Sequence, residues 1–89
     1  NESEIAKKVN MSRSYFSRCF KKVLGESFEN YYKELRIEKA RFMISVDDEP
    51  ISVISEKCGF VDYRYFSRIF KEYTSMLPTD YRKRIRKKL

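Results

Sequence analysis

The chain has 89 residues, with 20 Lys+Arg against 13 Asp+Glu (net charge +7), no His and two Cys. Without His there is no usual general base, no His-containing triad and no zinc-finger ligand set, and two Cys cannot make a Cys₄ site. Gly25 and Gly59 lie too far apart for a Gly-rich phosphate loop. No apolar run approaches the roughly 20 residues that cross a bilayer. Seven Phe and seven Tyr supply enough apolar mass for a core despite the charge. The expectation is a small, basic, aromatic-rich binding module, not an enzyme, with no catalytic residue, no metal and no cofactor.

Taken in chain order, Ile5, Ala6 and Val9 mark a short amphipathic helix. Asn1 and Glu4 have the spacing of a capping box, and Asn10 suits the helix end. Ser12 is the N-cap of a second helix, about 12–24, whose apolar stripe is Phe16, Cys19, Phe20 and Val23. Gly25 ends it. Residues 27–46 hold no Gly or Pro and read as one long helix, capped by Ser27. Its apolar residues are Phe28, Tyr31, Tyr32 and Leu35, then Ile37, Ala40, Met43 and Ile44. Asp47-Asp48-Glu49-Pro50 stops it. Ile51, Ile54, Ser55 and Cys58 mark the next short helix, ended by Gly59. Asp62 caps a helix over about 62–74 with the stripe Phe66, Ile69, Phe70 and Tyr73. Ser75 follows. Pro78 starts a last helix, about 78–88, with Tyr81, Ile85 and Leu89 on one face.

These elements form a repeat. Residues 15–36 and 65–86 share Tyr15/Tyr65, Phe16/Phe66, Ser17/Ser67, Arg18/Arg68, Phe20/Phe70, Lys21/Lys71, Tyr31/Tyr81, Lys33/Lys83 and Arg36/Arg86 at an offset of 50. Upstream, Ile5 faces Ile54 at an offset of 49, so the second copy has one extra residue in its turn. Helix, tight turn, half-buried helix is a helix-turn-helix. The fold class is therefore all-α, with two helix-turn-helix subdomains (1–26 and 47–89) joined by the connecting helix 27–46.

Removing the core stripe from each second helix leaves Arg13, Ser14, Ser17, Arg18 and Lys21 in one copy, and Tyr63, Arg64, Ser67, Arg68 and Lys71 in the other. Every amphipathic helix has a polar face, so one such stripe means little. Two facts weigh towards nucleic acid. The Ser-Arg pair recurs at the same register, and a 20-residue connector is about 30 Å long, near the ~34 Å of one DNA turn. Arg matches the guanine edge, Ser suits either base type and Lys reaches phosphate. The basic stretch 82–88 suits phosphate or plain solvation ahead of an anionic membrane surface.

The pattern resembles the DNA-binding domain of AraC/XylS-type bacterial transcription regulators. The likeness is carried by Ile51, Ile54, Gly59, Phe60, Asp62, Tyr65, Phe66, Arg68, Phe70, Lys71, Pro78, Tyr81 and Arg82. The first half matches more weakly, through Ile5-Ala6, Ser12, Phe16, Arg18, Phe20-Lys21, Gly25, Arg36 and Ala40. The resemblance implies seven helices, the first largely absent here, and base-facing Ser14, Ser17 and Arg18 together with Tyr63, Arg64, Ser67 and Arg68. Arg13, Lys21, Lys22, Lys71 and Arg82 are expected on phosphate. The expected partner is operator or promoter double-stranded DNA, with RNA polymerase and a companion effector or receiver domain as further partners, in the bacterial cytoplasm. A helical protein-interaction or membrane-surface module is the alternative. Departures from the family pattern are Glu2 for an apolar residue, Ser55 for Ala, Ser75 for Gly and Leu77 for Thr.

Single residues carry further expectations. Asp62 is a helix cap rather than a base reader. Tyr15 and Tyr65 pack at the core edge, ahead of the alternative that their hydroxyls bond phosphate, and Arg36 joins a buried ion pair. Cys19 and Cys58 are small buried hydrophobes in a reducing compartment.

Overall fold

Six α-helices run through residues 1–88, the part of the chain described in this computed structural model. They are α1 (Glu2–Lys8), α2 (Arg13–Leu24), α3 (Phe28–Val46), α4 (Ile51–Lys57), α5 (Tyr63–Thr74) and α6 (Pro78–Lys88). The all-α class expected from the periodicity is what the chain adopts. Leu89, expected on the face of Tyr81 and Ile85, lies outside the described residues.

The helix starts follow from the caps. Asn1 Oδ1 accepts from the Glu4 amide at 2.9 Å, and the reciprocal half of the capping box is also formed. Ser12 Oγ accepts from the Tyr15 amide, Ser27 Oγ from the Asn30 amide and Asp62 Oδ1 from the Arg64 amide. Each bond satisfies an amide that the helix itself leaves unpaired.

The helix ends show that the repeat extends to backbone geometry. Asn10 (φ 57°) and Gly59 (φ 90°) both take the left-handed conformation. Around them the same two bonds form: Met11 N to Ala6 O beside Phe60 N to Ser55 O, and Asn10 N to Lys7 O beside Gly59 N to Glu56 O. Gly25 (φ 79°) and Ser75 (φ 66°) end α2 and α5 in the same way, their amides donating to Lys21 O and Lys71 O. Side-chain packing repeats too. Phe20–Tyr31 and Phe70–Tyr81 are both edge-on pairs with ring centres 5.4 Å apart.

The chain divides into two compact units, residues 1–33 and the part from Glu34 onward, with the boundary inside α3. In the first, α1 packs on α2 and the first turns of α3 add Phe28 to Phe16 and Phe20. Only Ala6, Phe28 and Glu2 are buried in this unit, and α2 has no buried residue. The second unit has a larger core of Ile37, Ala40, Ile44, Ile51, Ile54, Cys58, Phe60, Phe66, Ile69 and Phe70. Burial pushes the Cys58 thiol pKa up, as suits a small core hydrophobe. Cys19 is only half-buried; both cysteines are free.

Several apolar expectations change. Val23 is 79% exposed and Tyr73 is exposed, so each stripe loses its last member. Twelve-residue helices span about 18 Å and the seven-residue helices before them about 10 Å, so the last turn outruns its cover. Tyr31, Tyr32 and Leu35 are also exposed. Tyr15 is 51% exposed and is not core-edge packing, whereas Tyr65 does pack against the second core.

Candidate nucleic-acid interface

In the first unit, Arg13, Ser14, Ser17 and Arg18 of α2 line one concave surface, bordered by Glu2 and Glu29. In the second, Arg64 and Arg68 of α5 line a smaller one with Asp62 and Tyr65. Ser14, Arg18, Tyr63, Arg64 and Arg68 are exposed, and Ser17 and Ser67 half-buried. Four stripe residues thus share a surface in the first unit but only Arg64 and Arg68 in the second, where Tyr63 lines a separate hollow with Ile51, Thr79 and Arg82. Tyr63 stands at the start of α5, its ring 6.2 Å from that of Phe66.

α1, α3 and α6 carry an acid in their first turn, where the helix dipole is positive. α2, α4 and α5 carry none there, although the Asp62 carboxylate stands at the N-cap of α5. Arg13 and Arg64 occupy the first turns of α2 and α5, at different registers of the repeat; a cation there opposes the dipole by about 0.3–1 kcal/mol, which at α5 the Asp62 carboxylate offsets. A bound phosphate would relieve that repulsion, since helix N-termini favour anions.

Arg13 is partly compensated. Its Nε donates to Glu2 Oε1 at 3.2 Å, with the Glu2 carboxylate almost buried and the Arg13 side chain 63% exposed. Glu2, a departure from an apolar pattern, thus holds one of the cations expected on phosphate. Lys21, Lys22 and Lys71 are exposed in the last turns of α2 and α5, where a cation also suits the dipole.

Arg82 is placed differently from the other expected phosphate contacts. It is half-buried, its Nη2 donating to Asp47 O at 3.0 Å and its Nε to Ile44 O at 3.4 Å. Arg86 Nη2 also donates to Asp47 O, at 2.7 Å, while Nη1 binds Asp48. α3 has no basic residue in its last turn. α6 supplies two guanidiniums there instead, Arg82 to Ile44 O within α3 and both to Asp47 O just past its end, which the sequence pattern did not reveal. Lys83, Arg84 and Lys87 of the same tail are exposed. Arg36, expected in an ion pair, donates from Nη1 to Gly59 O at 3.0 Å and lies 4.6 Å from the Phe60 ring centre.

Two short helices, each followed by a turn and a second helix with a cationic polar face, define the helix-turn-helix class. Residues 5–84 match the family model described as a helix-turn-helix domain. The chain belongs to this family, as a DNA-binding domain of the AraC/XylS type found in bacterial transcription regulators. It is 35% identical over 83 residues to the Msm operon regulatory protein of Streptococcus mutans, covering 93% of this chain and 30% of that protein. It is 34% identical over 80 residues to the arabinose operon regulatory protein of Escherichia coli, covering 90% and 27%. Among solved structures, the C-terminal domain of the two-component response regulator yesN from Fusobacterium nucleatum aligns with a TM-score of 0.85. That match is 34% identical over 92% of this chain and 80% of the other. The chain thus spans about a third or less of the curated relatives' length.

Proposed function

We propose that this chain binds double-stranded DNA sequence-specifically, with α2 and α5 entering successive major grooves. The observation that carries this reading is the polar, cationic face that α2 and α5 each present, with Ser17-Arg18 recurring as Ser67-Arg68, in units that repeat down to their turn geometry. Ser14, Ser17 and Arg18 read one half-site and Tyr63, Arg64, Ser67 and Arg68 the other. Arg13, Lys21, Lys22 and Lys71 neutralise phosphate, supplying affinity and salt dependence. The 19 residues of α3 span about 28 Å, near the length of one DNA turn. In the complete regulator this module works beside an effector or receiver domain and RNA polymerase.

Selection from a random duplex library tests the reading. The expected product is an asymmetric site with two elements about one turn apart. Affinity for it should fall steeply with salt on a log–log plot. No enrichment together with a flat salt response refutes DNA binding. Co-sedimentation with anionic vesicles, but not with duplex, would favour the membrane-surface alternative. No described helix is long and apolar enough to cross a membrane.

A further inference from the structure

The Arg18 guanidinium carbon lies 6.0 Å from the ring centre of Tyr15, and that of Arg68 lies 5.3 Å from the ring centre of Tyr65. Both pairs are i, i+3 neighbours on one helix, and they occupy the same register of the repeat. The face of a tyrosine ring is electron-rich and attracts a guanidinium at this distance. We infer that Tyr15 and Tyr65 are positioning residues, whose rings restrict Arg18 and Arg68 before DNA arrives.

Core packing does not account for Tyr15, which is 51% exposed. Tyr65 combines the role with packing beside Phe60, their ring centres 6.2 Å apart. Restraint matters because a free arginine has many rotamers, and immobilising it on binding opposes affinity. It matters more for Arg18, since Glu2 and Glu29 border the same concave surface. Glu2 already holds Arg13, but an arginine that swings to the exposed Glu29 is neutralised and no longer offers its fork to a base edge. A surface contact of this type corresponds to roughly twofold to fivefold in an equilibrium.

The inference rests on the DNA-binding reading, and Tyr15 is the cleaner test. The proteins compared are the wild-type 89-residue chain, Tyr15→Phe, Tyr15→Leu, Arg18→Met and the Tyr15→Leu/Arg18→Met double variant. The probes are a duplex selected from the random library and a scrambled duplex of equal length. Tyr15→Leu should weaken binding to the selected duplex about threefold to fivefold, with less than about a twofold change on the scrambled one. Tyr15→Phe keeps the ring and should retain wild-type affinity. In the Arg18→Met background, Tyr15→Leu should have no further effect. In DNA-free protein the Arg18 δ-protons should be shifted upfield by the ring, and the shift should vanish in Tyr15→Leu.

An equal loss from Tyr15→Leu with and without Arg18 overturns the inference. So does a loss in Tyr15→Phe as large as in Tyr15→Leu, which would assign the effect to the hydroxyl. If wild-type protein binds no duplex, the DNA-binding reading itself fails, a result distinct from either of these.

Discussion

Replacing Arg82 by Ala separates a structural clamp from a phosphate contact. The Ile44 carbonyl is among the last four of α3, which have no partner within the helix. Arg82 reaches it at 3.4 Å and the Asp47 carbonyl at 3.0 Å. Hydrogen bonds from a charged group contribute about 1.5–3 kcal/mol each. The first of these bonds is long, and Arg86 still serves Asp47 O at 2.7 Å. One full bond, about 2 kcal/mol, is therefore the expected loss. In a domain of this size about 1 kcal/mol moves Tm by about 4–8 °C, so Arg82→Ala should melt about 8–16 °C lower by circular dichroism. Arg82→Lys keeps the charge but loses the planar fork, and should recover less than half of that. Duplex affinity, measured well below Tm, should change less than about twofold, with the salt slope intact. A Tm within about 2 °C of wild type, together with a salt slope reduced by about one, would refute the clamp and place Arg82 on phosphate.

Other outcomes follow from the turns and the interface. Ser75→Gly should raise stability by about 0.5–1 kcal/mol in denaturant unfolding, because a side chain at φ 66° is disfavoured where glycine is not. Both Gly25→Ala and Gly59→Ala should destabilise, the second more, since only its Cβ would meet a side chain, Arg36 Cδ at 3.3 Å. Arg68→Ala should cost about 1–3 kcal/mol on the selected duplex and relax one base position, whereas Lys71→Ala should weaken all duplexes alike. The Asp48 carboxyl is held below its ordinary 3.8 by a hydrogen bond from Arg86 and by the charge of that guanidinium. A depressed folded pKa gives stability that is present above the unfolded value and lost as pH falls through the folded one. The Asp48–Arg86 contribution should thus be complete above roughly pH 5 and fade in acid. An NMR titration of Asp48 in Arg86→Met should return its carboxyl to the ordinary range.

What the sequence revealed was local. Ser12, Ser27 and Asp62 cap because their short oxygens fit an adjacent amide, so the starts of α2, α3 and α5 were readable within a residue. Asn10 and Gly59 marked helix ends for the same reason. The exposure of Val23 and Tyr73 was not readable, because it depends on how far a neighbouring seven-residue helix reaches. Nor was the use of Arg82 and Arg86, since their partners are backbone carbonyls more than thirty positions away. In the candidate interface, spacing picked out the polar stripes of α2 and α5. It read Tyr15 as packing, when an i, i+3 aromatic before an arginine is itself a signal for a ring–guanidinium contact.

No residue of α2 is buried, while Phe66, Ile69 and Phe70 of α5 are. Helices held so unequally open on different free-energy scales. In amide hydrogen exchange, α2 should trade its protons through partial openings well below the cost of global unfolding, and α5 only near that limit. The duplicated motif thus repeats its torsion angles while burying its second helix unequally, and on the proposed reading α2 is the helix whose protection a bound duplex should increase most.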